Sequence, residues 1–264
     1  MKLELCKRVI ITLFILIAAG ILLAFNGFPF LHYLISNEEI YETVIPITLT
    51  GKTVFISDLH LMESSTKESG NFPVNLPRDT KNLIIVGDLF DSPEFFNKLA
   101  GNEKDLSKPF CTALNFINNS PENVYLVVGT HEPEFLSYPE FLGYEINCNN
   151  SKVHISGRLA IFEIDGMTFA AHHGDYIANG IVGCAVSYVS KKLGKPLLLE
   201  RLWRNGIGLD ENYWLITGHT HITAADYEHK NANPGAWNHV PVIGGDLKNI
   251  IIFENGRVML VKLS

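Results

Sequence analysis

Five short polar motifs combine the residue types that bind divalent metal ions. They are Ser-Asp-Leu-His at residues 57–60, Gly-Asp-Leu-Phe-Asp at 87–91, Gly-Thr-His-Glu at 129–132, His-His-Gly-Asp at 172–175 and Gly-His-Thr-His at 218–221. Carboxylates and imidazoles are the ligands that hard and borderline divalent cations accept. One such motif by itself is also typical of a helix cap or a turn. The five together favour a metal centre.

Asp88 has the residue type that two adjacent cations would share. A carboxylate bridges two ions with its two oxygens, whereas an imidazole binds only one ion. The glycines of the motifs permit unusual backbone dihedrals and allow a metal ion or a substrate to approach the chain closely. The pattern therefore predicts a dinuclear centre in which Asp88 is the bridge.

The motifs follow short apolar runs, which are typical of buried strands. These runs cover residues 54–56, 83–86, 124–128 and 214–216, and helices are expected around 95–99, 110–117 and 177–192. Asp165-Gly166 and Asn255-Gly256 each separate two apolar segments and predict β-hairpins. Strands that alternate with helices, together with hairpins, indicate an α/β fold with mixed sheets, in which strand ends form the crevice where ligands bind.

Size and charge narrow the function further. A chain of 264 residues with 47% apolar content suits one catalytic domain with appendages. The net charge of -7 argues against a nucleic acid as partner. Cys6, Cys111, Cys148 and Cys184 have neither the spacing of a zinc knuckle nor the density of a disulfide scaffold, so we interpret them as thiols without a structural role.

The N-terminus carries an uncharged, apolar segment at residues 9–25 that predicts a transmembrane anchor. A cleaved secretory signal is the alternative interpretation. Basic residues precede the segment and acidic residues follow it, so the positive-inside rule places the N-terminus in the cytoplasm and the domain outside. The sequence thus predicts a single-pass membrane protein, extracytoplasmic in its catalytic part. Its divisions are a basic N-terminus at 1–8, the anchor at 9–25, a connector at 26–51 and the catalytic domain at 52–264.

The ordered motif set resembles the signature of the calcineurin-like metallophosphoesterases, which runs Asp-x-His, Gly-Asp-x-x-Asp, Gly-Asn-His-Asp/Glu, His-Gly and Gly-His-x-His. The resemblance covers roughly residues 53–240. It implies a four-layer α/β/β/α sandwich of two mixed sheets and two divalent ions, Mn, Fe or Zn, with Mn favoured. One ion would be bound by Asp58, His60, Asp88 and His221, and the other by Asp88, His173 and His219.

The resemblance also implies the chemistry. A hydroxide held between the two cations would attack phosphorus in line, and His131 would contact the phosphate and stabilise or protonate the leaving group. Asp88 and His131 are therefore the expected catalytic residues. Thr130 occupies the position where the family has an asparagine that ligates the second metal. Its side chain is shorter than that of asparagine, and its hydroxyl is a poorer neutral ligand than an amide oxygen. The second site is therefore expected to bind its metal more weakly, to be completed by water or to be selective for another metal.

Within the family, the chain looks most like the UDP-2,3-diacylglucosamine pyrophosphatase-like branch. The apolar N-terminal segment, the basic segment within residues 177–204 and an Asn-Pro-Gly turn at 233–235 carry this likeness. The expected partners are the membrane and a phosphorylated small molecule or a nucleotide- or lipid-linked substrate. A general phosphodiesterase or phosphomonoesterase is equally allowed. The alternative from another class is a catalytically weakened binding or scaffold protein, for which Thr130 is the only support.

Overall fold

The computed structural model describes residues 20, 44, 46–62, 74–101, 105–177, 180–237 and 247–263. The predicted N-terminal stretch at 1–8, almost all of the predicted anchor at 9–25 and most of the connector lie outside these residues. In the described part of the chain, no helix combines the length and the apolar character needed to cross a bilayer.

The described residues form four α-helices, two short 3-10 turns at Glu134–Ser137 and Pro139–Phe141, and fifteen strands. The helices are α1 (Pro93–Ala100), α2 (Ser107–Leu114), α3 (Gly180–Lys192) and α4 (Leu198–Gly206). The strands are β1 (Ile47–Leu49), β2 (Thr53–Ile56), β3 (Val74–Asn75), β4 (Asn82–Val86), β5 (Ile117–Asn118), β6 (Asn123–Val127), β7 (Glu145–Cys148), β8 (Ser151–Ile155), β9 (Leu159–Ile164), β10 (Met167–His172), β11 (Trp214–Ile216), β12 (Ala224–Asp226), β13 (Asn231–Asn233), β14 (Asn249–Glu254) and β15 (Arg257–Lys262).

Two mixed sheets contain most of these strands. One has the order β15-β14-β2-β4-β6-β8-β7, and the other has the order β1-β9-β10-β11-β13-β12. In the first sheet, β2, β4, β6 and β8 are mutually parallel, and β14 and β7 pair with them antiparallel. The predicted α/β fold with two mixed sheets is therefore confirmed. β3 and β5 form a separate two-stranded sheet.

The sheets pack face to face, and a helical layer covers the outer face of each. Phe55 of β2 packs between the sheets with Phe169 and Phe253. The ring centroids of Phe55 and Phe169 are 5.3 Å apart, and those of Phe169 and Phe253 are 5.1 Å apart. The neighbouring Val54 and Ile56 point to the other face and join the core under α1 and α2. Successive strand side chains alternate between faces, so a strand covered on both sides is apolar throughout. A third core joins α4 to the outer face of the second sheet.

Helix α1 has a capping residue at each end. The hydroxyl of Ser92 accepts a hydrogen bond from the amide of Phe95 at 3.2 Å, and Pro93 occupies the first helical position. Gly101 ends the helix at φ 68°, a dihedral that glycine adopts without strain. Phe96 faces inward and packs against Phe90 and Phe110 at centroid distances of 5.1 and 5.6 Å. The helix thereby covers the strand ends that carry the polar motifs.

Both predicted hairpins are present. β9 and β10 are joined at Asp165 and Gly166, with φ of 46° and 81°, and β14 and β15 are joined at Asn255 and Gly256, with φ of 51° and 71°. Consecutive positive φ values are the geometry of the type I′ turn, whose twist matches that of the flanking strands. The third predicted helix begins at Gly180, and α4 follows it as a separate helix.

The interpretation of all four cysteines as thiols without a structural role is wrong for two of them. Cys111 of α2 and Cys148 of β7 form a disulfide across a sequence separation of 37 residues. Cys184 is a free thiol. The spacing of the two half-cystines has no local signature, because the pairing depends on α2 packing against β7 in the folded sheet.

Glu200 in α4 is fully buried, and neither of its carboxyl oxygens has a hydrogen-bond partner. Burial raises the pKa of this carboxyl to about 7. Because the folded-state pKa lies above that of the unfolded chain, the folded protein is most stable below the unfolded value of about 4.5 and loses stability as the pH rises through about 7. Ionised Glu200 thus lowers the stability of the folded state above neutral pH.

Glu200→Gln is expected to remove this pH dependence. Between pH 4.5 and pH 8, the wild type should lose about 3 kcal/mol of unfolding free energy relative to the variant, since one pKa unit corresponds to about 1.4 kcal/mol. Urea unfolding at several pH values measures the difference. Glu163→Gln, at an exposed position of β9, is the matched control. Parallel curves for wild type and Glu200→Gln would contradict the prediction.

Candidate metal centre

All the predicted site residues lie where strands of the two sheets end. β2, β4 and β6 are parallel in one sheet, and β10 and β11 are parallel in the other, so their carboxyl ends share an edge. The loops after β2 and β4 remain joined beyond the strands. The amide of Asp58 donates to the carbonyl of Gly87 at 3.1 Å, and the amide of His60 donates to the carbonyl of Asp88 at 3.0 Å.

Five of these residues have a left-handed backbone. The φ values are 53° for Asp58, 46° for His60, 50° for Asp88, 65° for His219 and 56° for His221. A residue other than glycine in this region costs of order 1–3 kcal/mol and persists only when its surroundings enforce it. Such strain concentrates at functional sites. The shared conformation supports a common role for these five residues.

Asp58, His60 and His221 form the first group of potential ligand atoms. Nε2 of His221 lies 3.2 Å from Oδ1 of Asp58, and Nε2 of His60 lies 3.8 Å from the same oxygen. The two imidazoles approach each other through their Nε2 atoms, which are 3.2 Å apart. Asp58 and His60 are buried, whereas His221 is partly exposed. One carboxylate and two imidazoles thus converge on one point.

Asp88, His173 and His219 form the second group. Nε2 of His173 lies 3.0 Å from Oδ2 of Asp88, and Nδ1 of His219 lies 3.2 Å from Nε2 of His173. The other ring nitrogen of His173, Nδ1, lies 3.0 Å from the carbonyl of Val86 and donates to it. This hydrogen bond orients the ring and directs Nε2 towards the group, as is typical of metal-binding histidines.

Asp88 connects the two groups. Its Oδ2 lies 3.0 Å from Nε2 of His173 and 3.9 Å from Nε2 of His60. A third set of potential ligand atoms, from His60, Asp88 and His131, overlaps both groups, and the atoms within each of the three sets lie within 4.8 Å of one another. The buried carboxylate is therefore in reach of two adjacent cation positions, as the bridge predicted from the sequence requires.

The donors fit a pair of divalent cations. In both groups two imidazole nitrogens face each other at 3.2 Å, and their lone pairs repel unless a proton or a cation lies between them. Buried carboxylates and histidines at this density need a compensating charge. Carboxylate and imidazole donors accept manganese, iron and zinc alike, so the identity of the metal is not determined by the ligand types.

The electrostatics of the metal-free site support cation binding. Burial raises the pKa of Asp58 and Asp88, but hydrogen bonds and charge from the neighbouring histidines outweigh burial and bring both pKa values below the ordinary range. Burial lowers the pKa of His173, yet the charge of Asp88 raises it well above 6.5. Burial and the charge of His173 lower the pKa of His219 to about 4. A proton thus occupies the place of a cation, and metal binding is expected to release it.

Thr130 lies beside the bridging carboxylate. Its hydroxyl is 3.4 Å from both Oδ1 and Oδ2 of Asp88, and the residue is exposed. The structure therefore brings Thr130 to the carboxylate that the two groups share. The hydroxyl is long for a hydrogen bond to either oxygen.

His131 lies at the open side of the same carboxylate. Its backbone amide donates to Oδ1 of Asp88 at 2.9 Å, and Nδ1 of its ring contacts the backbone carbonyl of Asp91. Nε2 is 3.8 Å from Oδ2 of Asp88, and the side chain is 41% exposed. With Nδ1 donating to a carbonyl, Nε2 is the ring atom available to a substrate.

Two glycines allow the backbone to lie close to the carboxylates of Asp88 and Asp58. A Cβ at Gly129 would lie 2.4 Å from Oδ1 of Asp88, and a Cβ at Gly218 would lie 2.6 Å from Oδ2 of Asp58. Both distances are far inside contact, and the obstructing atoms belong to buried carboxylates. Only glycine fits at these two positions of the motifs.

Glu132 supports the site, a role that sequence reasoning missed. Its buried carboxylate accepts hydrogen bonds from the amides of Gly129 at 2.7 Å, Asp88 at 3.0 Å and Leu89 at 2.7 Å. It holds the loop after β4 against the loop after β6. Burial and the charge of Asp88 raise the pKa of Glu132 to about 7. Its position beside Thr130 and His131 was the only signal in the sequence.

Asn233 supports the last motif. Its Nδ2 donates to the carbonyl of Gly218 at 2.8 Å, and its Oδ1 accepts from the amide of Gly235 at 2.8 Å. The Asn-Pro-Gly segment is thus a buried turn under the loop that carries His219 and His221. His172 is also buried, and its Nδ1 accepts from the amide of Gly174 at 2.9 Å, which suits a supporting residue.

Two of the basic residues before β11 are held by backbone carbonyls. Lys191 donates to the carbonyl of Thr223 at 2.8 Å. Arg204 is buried and donates to backbone carbonyls that include that of Asp210 at 2.9 Å. Both side chains tie helices to the second sheet, so they are not available to an anionic substrate.

No protein-family model matches the sequence, and no curated protein matches it. Among solved structures, the chain is similar to Yfce, a phosphoesterase from E. coli, with 16% identity and a TM-score of 0.38, over 81% of this chain and 100% of that one. An archaeal phosphodiesterase shows 16% identity and a TM-score of 0.40, over 80% and 99% of the two chains. A Vps29 variant from Entamoeba histolytica shows 12% identity and a TM-score of 0.38, over 80% and 98%. Likeness this weak assigns no activity, so the function rests on the site itself.

Proposed function

We propose that this protein is a metal-dependent hydrolase of phosphoester or pyrophosphate bonds, with a dinuclear centre of the metallophosphoesterase type. One observation carries the proposal: two groups of buried ligand atoms meet at Asp88, where strands of both sheets end. A carboxylate shared between two imidazole groups would hold two cations, which would supply the positive charge that a phosphate group needs.

Each ligand has a defined place in this proposal. Asp58, His60 and His221 would hold one cation, His173 and His219 would hold the other, and Asp88 would serve both. Bound cations supply an activated water and stabilise the charge that develops on phosphorus. Manganese is the favoured ion, and iron and zinc are the alternatives.

His131 is proposed to protonate the leaving group. Its Nδ1 is held by the carbonyl of Asp91, and Nε2 faces the open side of the centre. A histidine suits this work because its unperturbed pKa is near neutrality, where it can both hold and release a proton. The backbone amide of His131 remains bound to Asp88, which keeps the ring beside the shared carboxylate.

The simplest test is hydrolysis of bis-p-nitrophenyl phosphate by the purified full-length protein in added manganese, together with metal analysis. Turnover that depends on the metal, with about two ions per chain, is expected for a two-metal centre. No turnover together with less than one bound ion would favour the second candidate, a binding or scaffold protein that keeps the sandwich without the chemistry.

Thr130 is the observation that favours this second candidate, and Thr130→Asn tests its importance. An amide oxygen is a better neutral ligand than a hydroxyl, so the variant should bind the second cation about tenfold more tightly, which corresponds to about 1.4 kcal/mol. Manganese titration of the metal-free protein, followed by calorimetry and activity, measures the change. Thr48→Asn, at an exposed position of β1, is the control. A fall in activity would show that Thr130 does not weaken the second site.

We also propose a substrate class and a cellular location. The apolar segment at residues 9–25 supports a membrane anchor and a lipid- or nucleotide-linked pyrophosphate of the UDP-diacylglucosamine type. The disulfide between Cys111 and Cys148 supports an extracytoplasmic domain, since disulfides persist in oxidising compartments. A protease added to intact cells should cut the domain, and an uncut domain would overturn this orientation.

A further inference from the structure

An apolar groove lies beside the metal centre, between α1 and the two 3-10 turns at 134–141. Its volume is about 860 Å³, which is within the range of small-molecule binding sites. Aromatic and aliphatic side chains dominate its wall. They are Phe96 and Ala100 of α1, Leu106, and Phe135, Tyr138 and Phe141 of the turns.

The aromatic wall is continuous and ends in an exposed ring. Phe96 and Phe135 lie 6.3 Å apart, and Phe135 and Phe141 lie 5.3 Å apart, measured between centroids. Tyr138 is 43% exposed at the surface of the groove. Large apolar groups in contact with water are unfavourable unless a ligand or partner covers them. The groove therefore presents a surface that an apolar group would cover.

One end of the groove is formed by residues that are close in sequence to site residues. Pro93 and Pro133 line it, and each lies two residues after a site residue, Asp91 and His131 respectively. Asp91 and His131 are joined by the contact between the Asp91 carbonyl and Nδ1 of His131. A molecule that places phosphate at the cations would thus reach the groove past His131, the group proposed to protonate the leaving oxygen.

The charge of the groove selects what enters it. Among the described residues that line it, Glu134 and Glu140 are the charged ones, and both are acidic. An anionic group is repelled there and belongs at the cations instead. A neutral apolar group attached to a phosphate satisfies both regions.

We propose that this groove binds the apolar group of a leaving alcohol, so that, of the two bond types in the proposed function, phosphate esters of alkyl or aryl alcohols are preferred over pyrophosphates, whose leaving group is an anion. The inference rests on the proposed hydrolysis. In the step itself, the oxygen of water bonds to phosphorus and releases a proton to solvent, and the bond between phosphorus and the alcohol oxygen breaks. That oxygen takes a proton from Nε2 of doubly protonated His131, which then regains a proton from solvent. The products are the free alcohol, seated in the groove, and the phosphate at the cations.

Binding of methylphosphonate and hexylphosphonate to the manganese-loaded full-length protein, followed by calorimetry, tests the groove without turnover. Hexylphosphonate should bind more tightly by about tenfold or more, since each buried methylene adds to affinity. Tyr138→Glu places a charge in the groove and should bring the two affinities close together. Tyr227→Glu changes a tyrosine of similar exposure, 56%, that does not line the groove, and should retain the wild-type ratio.

Release of phosphate from methyl, butyl and hexyl phosphate separates this inference from the proposed function. Turnover with equal kcat/KM for all three esters would support the proposed hydrolase activity and would contradict binding of the alkyl group in the groove. A chain-length preference in binding without turnover of any ester would retain the apolar site and overturn the hydrolase. A preference that survives Tyr138→Glu, or a change of oligomeric state in that variant, would also overturn the groove as the substrate site.

Discussion

Replacing Asp88 by asparagine is expected to abolish the dinuclear centre and to lower kcat/KM by about three orders of magnitude or more. The metal pair supplies several kcal/mol of transition-state stabilisation, and about 1.4 kcal/mol corresponds to a factor of ten. A carboxylate offers an oxygen to each of two cations, whereas an amide offers one neutral oxygen. Metal analysis by mass spectrometry and turnover of bis-p-nitrophenyl phosphate measure both effects.

The variant should still fold. Asparagine retains an oxygen for the amide of His131, and loss of the negative charge removes the repulsion with Asp58 as well as the ion pair with His173. Circular dichroism and thermal unfolding check this. Asp79→Asn is the matched control, because Asp79 is 65% exposed and pairs with Lys52 away from the site. Two tightly bound ions in Asp88→Asn would mean that Asp88 is not the bridge.

Replacing His131 by glutamine is expected to lower kcat by about 10²–10³-fold for an alkyl ester while both metal ions stay bound. This is the range that a positioned general acid contributes. The loss should be smaller for a p-nitrophenyl ester, because that leaving group departs without a proton. Comparison of kcat for the two esters, with metal content measured on the same samples, separates proton donation from metal binding.

His229→Gln is the control for this variant, because both histidine side chains are 41% exposed and His229 lies in the turn between β12 and β13, beside Asp226. Loss of bound metal in His131→Gln would instead make His131 a ligand, in agreement with the set that it forms with His60 and Asp88. An equal loss of activity on both esters would mean that His131 does not protonate the leaving group.

Local patterns predicted much of the fold. The buried strands at 54–56 and 83–86 and the hairpins at Asp165 and Asn255 are present, because continuous apolar runs and Asp-Gly or Asn-Gly turns act over a few residues. The edge strand β12 and its neighbour β13 were not predicted. They contain alanine and asparagine, whose strand propensity is low, so their conformation depends on pairing with β11 and with each other.

The disulfide and the aromatic groove also escaped prediction. Cys111 and Cys148 are 37 residues apart and meet only because α2 packs against β7. The groove requires α1 and the segment at 134–141 to lie side by side, although α2 and the two strands β5 and β6 separate them along the chain. Contacts between distant segments leave no periodic signature in either segment.

The sequence by itself determined the donor chemistry of the site: which carboxylates and imidazoles are available, and that each directly follows or ends a buried apolar strand. The tertiary structure alone decided that Asp58 and His219, 161 residues apart, are joined by a hydrogen bond, and that Asp88 lies between two groups of ligands. The physical reason is sheet order. Residue type and strand period are local properties, whereas the neighbour of each strand is selected by packing of the whole core.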